Sequence, residues 1–301
     1  MSKLVLNVKK MCYAILLLPI LFFAQNKKQK LTPVVFEHLH INVADMHKTA
    51  QWYVDHVDLE ILASKNKDVV YLADKDHNYM LELSQIPETR NTYEDIDLNS
   101  FHIAFEGHKN IAEVAAKMLE NGAKQQGELY TNKVGDYVLN LKDINGFNVQ
   151  LIHRSDAFYD QPIKSAIRFE HFAFNTPEQK TAALWYVQFM DLVIPWSKDI
   201  DKKNEMFRNY RVPYIGDVEN RMTLELFGKE VENTLANMPH NVIHIAFATN
   251  DPEALAKRMI YGGAKKVGET KHLKNGDIVI DLYDQIGTPI RLIKRKKSIL
   301  K

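Results

Sequence analysis

The chain has 301 residues, 46% hydrophobic and 26% charged, the composition of a folded protein with room for about two domains at ~100–200 residues each. A formal charge of +1 argues against a nucleic-acid binder, which usually shows a strongly basic face, so no nucleic-acid partner is expected. The single cysteine, Cys12, lies in an N-terminal segment that reads as removable, which excludes disulfides and thiol catalysis in the mature protein.

That segment comes first in the chain. Lys3, Lys9 and Lys10 precede an unbroken apolar run over residues 11–24, and polar residues follow from Gln25. A charged start and an apolar run shorter than the ~20 residues that span a bilayer fit a signal peptide over residues 1–24. An uncleaved anchor is the alternative. The expected location is outside the cytoplasm, periplasmic or secreted, with no membrane association once the segment is removed.

Next, His38, His40 and Asn42 alternate with Leu39, Ile41 and Val43, the period of a strand with two unlike faces. Asp45 stands at a helix N-cap position, and Ala50, Tyr53, Val54 and Val57 form an apolar stripe behind it. Strands are expected over 69–72 and 79–83, with a turn through 74–78. A second unit repeats this plan: a strand over 101–105, a helix over 111–121 stopped by Gly122, and strands over 137–141 and 148–152. Asp143-Ile144-Asn145-Gly146 forms the last turn. Each unit is therefore βαβββ. Ser155 to Ser165, polar and containing Pro162, reads as a link.

Beyond the link the pattern starts again. Phe36-Glu37-His38 recurs as Phe169-Glu170-His171, and Trp52-Tyr53-Val54 as Trp185-Tyr186-Val187. Leu81-Glu82-Leu83 recurs as Leu224-Glu225-Leu226, and His102-Ile103-Ala104-Phe105 as His244-Ile245-Ala246-Phe247. Gly122-Ala123-Lys124, Asp143 and Leu151-Ile152 return as Gly263-Ala264-Lys265, Asp284 and Leu292-Ile293. The chain is a duplication of a duplicated unit, with domains expected over 33–154 and 167–297. An insertion before Leu224 makes Tyr210 to Tyr214 a candidate contact loop. The basic end, Lys294 to Lys297 and Lys301, reads as a solvated tail.

A His-bearing first strand, an Asp-begun helix with an aromatic-Tyr pair, a Leu-Glu-Leu strand and an Asp-x-x-Gly turn before the last strand together resemble the vicinal oxygen chelate superfamily. That group includes glyoxalase I, fosfomycin- and bleomycin-resistance proteins, methylmalonyl-CoA epimerase and extradiol dioxygenases. The resemblance covers nearly all of residues 33–297. It implies an α+β fold in which four βαβββ modules form two domains with cup-shaped mixed sheets. It also implies metal ligands on first and last strands: His38, Glu82, His102 and Gln150 in the first half, and His171, Glu225, His244 and Arg291 in the second.

Two imidazoles, one carboxylate and one amide oxygen suit a divalent ion such as Zn, Ni, Fe or Mn. Glu82, the lone anion of the first set, is also the candidate catalytic base, and His40 shares the face of His38. Arg291 repels a cation and is expected either to pair with Glu225 or to clamp an anionic substrate. Trp52, Tyr53, Trp185 and Tyr186 are expected in the core, and His47, His56, His77, His108 and His153 in solvent. The expected function is that of an exported metal-dependent lyase or isomerase acting on a small oxygen-rich molecule in the first domain, with the second degenerate. A small-molecule binding protein is the alternative, a dioxygenase a more distant one, and a homodimer is possible.

Overall fold

In this computed structural model the described residues are 33–66, 68–85, 93–107, 111–133, 135–155, 167–194, 214–219, 221–228, 231 and 234–300. The expected signal segment, residues 156–165 of the link, His108, and residues 210–213 of the candidate contact loop lie outside them. Among the described residues no helix is long and apolar enough to cross a membrane.

The first module comprises β1 (Val35–Val43), α1 (Met46–Val57), β2 (Glu60–Asn66), β3 (Val69–Ala73) and β4 (Met80–Gln85). The second has β5 (Phe101–Gly107), α2 (Ile111–Glu120), β6 (Lys124–Thr131), β7 (Tyr137–Lys142) and β8 (Asn148–His153). The third contributes β9 (Ile167–Asn175), α3 (Gln179–Met190), β10 (Tyr214–Gly216) and β11 (Thr223–Phe227). The fourth is β12 (Ile243–Ala248), α4 (Pro252–Tyr261), β13 (Lys265–His272), β14 (Ile278–Tyr283) and β15 (Pro289–Lys294).

Local chemistry sets the helix limits. Asp45 Oδ1 accepts the Lys48 N–H at 2.9 Å, and Asp58 ends α1 in the left-handed region. Asp251 caps α4 the same way, with Pro252 in the first turn. The aromatic pairs hold each helix to its neighbours. Tyr53 Oη donates to Asp143 Oδ2 at 2.9 Å, and Tyr186 Oη donates to Asp284 at 2.6 Å. Trp52 and Trp185, also buried, donate to a backbone carbonyl just past the neighbouring helix, Asn121 and Gly262 respectively. The repeated Asp turn and the repeated Trp-Tyr pair are thus two ends of one packing device.

Strand pairing departs from the sequence expectation. One sheet runs β13-β14-β15-β12-β1-β4-β3-β2 and the other β10-β11-β9-β5-β8-β7-β6. Within each complete module the first strand lies parallel to the last, as β1 does to β4 and β5 to β8. Between modules, β1 pairs antiparallel with β12 and β5 with β9. The first and fourth modules therefore share one sheet, and the second and third share the other. The sequence halves 33–154 and 167–297 are units of duplication, whereas each sheet takes one module from either half. All four first strands carry the same alternation, so their local pattern leaves the partner open.

Both antiparallel junctions contain a β-bulge. Phe36 and His38 oppose consecutive residues Phe247 and Ala246, which leaves Glu37 as the extra residue. Phe169 and His171 likewise oppose Phe105 and Ala104, leaving Glu170 extra. The other face of these strands is apolar. Leu39, Ile41, Ile103, Phe172, Phe174 and Ile245 join the helix residues Tyr53 and Tyr186 in one buried core.

Two reciprocal bonds tie the sheets together. Asp74, in the turn after β3, accepts from Phe169 N at 2.7 Å and from Asp76 N and His77 N. Asp217, in the turn after β10, accepts from Phe36 N at 2.8 Å and from Glu219 N and Arg221 N. Each carboxylate satisfies a bulge-flanking backbone donor in the other sheet. Near pH 4, Asp74→Ala and Asp217→Ala should each cost roughly 2–3 kcal/mol by orphaning these donors, measured as a lower midpoint in urea.

Candidate metal centres

Cross-strand partners on one face of a sheet bring their side chains together. In the second sheet, His102 lies opposite Ala173, which neighbours Glu225, while Ala104 lies between His171 and Gln150. His102, Gln150, His171 and Glu225 therefore share a face, and all four are buried. His102 Nε2 is 3.2 Å from His171 Nε2, and His171 Nε2 is 3.0 Å from Glu225 Oε2.

The back of each ring is already committed. His102 Nδ1 faces the Leu98 carbonyl at 3.1 Å, and His171 Nδ1 faces Glu170 Oε2. Acceptors on that side place a proton on each Nδ1 and turn both Nε2 lone pairs toward Glu225. Three acceptors that converge in this way need a cation among them. With no metal, a proton on His171 can take that place. Burial disfavours the charged form of His171, but Glu170 and Glu225 outweigh it and push its pKa up to about 9. Burial, followed by the charge of His171, takes His102 down to about 4. Burial opposes ionisation of Glu225, yet His171, His102 and the Tyr214 hydroxyl hold it below the usual range. Tyr214 Oη donates to Glu225 Oε1 at 2.6 Å. The Gln150 amide donates to Asn140 Oδ1 at 3.1 Å, which leaves its carbonyl oxygen as the atom for a cation. Two imidazoles, a carboxylate and an amide oxygen fit a divalent first-row ion.

The first sheet holds a related cluster. His38, Glu82 and His244 place one donor atom each within 4.8 Å of one another, as His102, His171 and Glu225 do. His38 Nε2 lies 3.4 Å from His244 Nε2 and 3.7 Å from Glu82 Oε2. Glu37 Oε2 backs His38 Nδ1 at 2.6 Å, and the His240 carbonyl backs His244 Nδ1 at 2.6 Å. The surroundings differ from those of the second sheet. His40 stands where Ala173 does. Its Nδ1 engages Glu82 Oε1 at 2.8 Å, and its ring stacks on His244 with centroids 4.5 Å apart. Arg291 stands where Gln150 does. Burial and then the Arg291 charge push His244 well below its ordinary value. Burial opposes the Glu82 charge, but His38, His40 and Tyr71 hold it far below the usual carboxylate range.

The set expected as one shell is thus divided. His38 and Glu82 meet His244, while His102 meets His171 and Glu225, with Gln150 on the same face of their sheet. The reason is the strand pairing: β1 never borders β5. Arg291 does not pair with Glu225, which belongs to the other sheet, but forks onto Asp281 at 2.7 and 3.2 Å, beside Lys271. Trp52, Tyr53, Trp185 and Tyr186 are core residues, as expected. Of the histidines expected in solvent, His77 pairs with Glu60, and His153 meets the Gly107 carbonyl at 2.9 Å.

Residue-type reasoning passed over the layer behind the histidines. Arg154 donates to Glu170 at 2.7 and 3.1 Å and to Asp136 at 2.9 Å. Arg295 does the same to Glu37 and Asp277 in the other sheet. The signal was present in the repeat. Glu37 and Glu170 belong to the duplicated Phe-Glu-His triplet, and Asp136 and Arg154 match Asp277 and Arg295 at the spacing that relates the later repeats.

Comparison with known proteins gives this geometry a context. Residues 35–151 and 168–292 each match the Glyoxalase/Bleomycin resistance protein/Dioxygenase superfamily. No curated protein matches the chain. Among solved structures, glyoxalase I from Zea mays is similar with TM-score 0.62 and 16% identity, covering 87% of this chain and 92% of that one. A mutant of the same enzyme gives TM-score 0.64 at 16% identity, covering 87% of this chain and 94% of that one. A putative dioxygenase from Bacillus subtilis subsp. subtilis str. 168 gives 0.59 at 11%, covering 89% of this chain and 87% of that one. At such identities the structural likeness speaks for the fold alone. The family match takes in both duplicated segments, and the chain belongs to the glyoxalase/bleomycin resistance protein/dioxygenase superfamily.

Proposed function

We propose that the protein is an exported, divalent-metal-dependent lyase or isomerase acting on a small oxygen-rich molecule. Its centre is formed by His102, His171, Glu225 and Gln150. The observation that carries the reading is the approach of two Nε2 atoms to 3.2 Å beside a buried carboxylate, with both Nδ1 atoms already committed elsewhere. Similarity to glyoxalase I from Zea mays is consistent with this class. The basic and apolar pattern of residues 1–24 supports export.

A divalent ion at this centre would polarise a substrate oxygen and stabilise negative charge developing there. The chain supplies the rest. His102 and His171 come from β5 and β9 and fix the direction of binding. Glu225, the counterpart of Glu82, takes the proton-transfer role, with Tyr214 holding Oε1. The cluster of the first sheet is the degenerate one. Arg291 replaces the amide donor, and His40 occupies Glu82.

Metal analysis after saturation with Zn, Ni, Fe or Mn and removal of the excess tests the assignment. One equivalent per chain is expected. Two equivalents would restore the first-sheet cluster as a working site. None would leave a metal-free binding protein.

A further inference from the structure

Both copies of the Phe-Glu-His triplet place their glutamate as the extra residue of a β-bulge, at the junction of modules from opposite halves. A bulge forfeits ladder pairing and redirects a side chain, and bulges recur beside functional sites. Here each bulge aims a fully or nearly fully buried carboxylate at the back of the adjacent histidine. Behind the carboxylate stands one arginine, and behind that a second buried acid. The chains are Asp136–Arg154–Glu170–His171 and Asp277–Arg295–Glu37–His38.

Stability alone does not account for this construction. Burying a carboxylate and a guanidinium costs about as much as their attraction returns, and apolar residues of the same volume often serve as well. What the charges provide is direction. A carboxylate on Nδ1 fixes both the tautomer and the plane of the ring, leaving Nε2 as the donor atom. Arg154 follows β8 in the first half, whereas Glu170 and His171 lie on β9 in the second. The arginine therefore straps together two modules, each of which contributes one histidine to the centre.

We propose that Glu170 and Arg154 are positioning residues of the His102–His171–Glu225–Gln150 centre: Glu170 orients the His171 ring, and Arg154 holds Glu170 across the module junction. This role rests on the metal reading given above. Glu170→Ala, Glu170→Gln and Arg154→Lys test it in the full chain, with zinc affinity measured by chelator competition. Imidazole nitrogen resonances in histidine-labelled protein, with and without zinc, give the second readout.

Glu170→Ala should weaken zinc about 10- to 100-fold, the usual effect of losing such a partner. It should also abolish the slowly exchanging Nδ1–H of His171. Glu170→Gln keeps an acceptor and should retain that proton with a smaller loss. Arg154→Lys should fall between the two. Far-ultraviolet circular dichroism checks folding, and if the alanine variant does not fold, the other two decide. Wild-type zinc affinity with an unchanged His171 resonance in the folded variants overturns the positioning role alone. Failure of the wild-type chain to take up zinc, nickel, iron or manganese overturns the metal reading and this role with it.

Discussion

His102→Ala and His171→Ala are each expected to abolish the same metal site, although they lie in opposite halves of the chain. His38→Ala should leave that site intact. Removing a ligand outright should exceed the ~10–100-fold loss that follows from removing an outer partner, so uptake should vanish at micromolar zinc. The double variant should be no worse than either single one, because each single change already opens the shell. The control discriminates because a site built within the first half would need His38 and His102 together. If His38→Ala removed the metal and His171→Ala did not, the division of ligands by strand pairing would be refuted.

That division marks the boundary of what could be read from the residues. The alternation of His38, His40 and Asn42 with Leu39, Ile41 and Val43 specified a strand with a polar and an apolar face, and β1 is such a strand. Asp45 and Gly122 marked helix limits because capping is local chemistry, and Asp45 does cap α1. The pairing of β1 with β12 is not local. Four first strands with one pattern can be matched in more than one way, and every match buries the same kinds of side chain. Ligands expected within each half therefore come from two different side-chain clusters. The layer of Glu170 and Arg154 was hidden for another reason. A charged residue in a strand reads as solvent-facing until a bulge and an oppositely charged partner are seen to bury it.

The second large effect concerns acid. Burial opposes ionisation of Glu37, but His38 and Arg295 outweigh it and hold the carboxyl at about 2. Its folded-state pKa lies below the unfolded value of about 4.3, so its contribution is complete above that pH and is lost as pH falls toward 2. The size is about 3 kcal/mol, the free energy of a shift of this order. Burial holds Asp74 and Asp217 up, each at about 6. They act in the opposite sense, contributing below about pH 4 and losing that contribution as pH rises through 6. Wild type and Glu37→Gln share both aspartates, so the difference between them isolates Glu37. Urea unfolding of the metal-free proteins should show a difference that is constant from pH 7 to 5 and shrinks by about 3 kcal/mol toward pH 2. A difference unchanged to pH 2 would sink the account of Glu37 as a buried anion held by Arg295 and His38.

The diagonal pairing of modules also governs how two copies of a gene segment can drift apart. Gln150 sits in the first copy and serves the second sheet, and Arg291 sits in the second copy and serves the first sheet. Neither copy owns a site, so neither can decay as a block without damaging both. Specialisation must instead proceed position by position along the diagonals. A chimera that exchanged one half for that of a relative would carry two hybrid sites, with no parental site left whole.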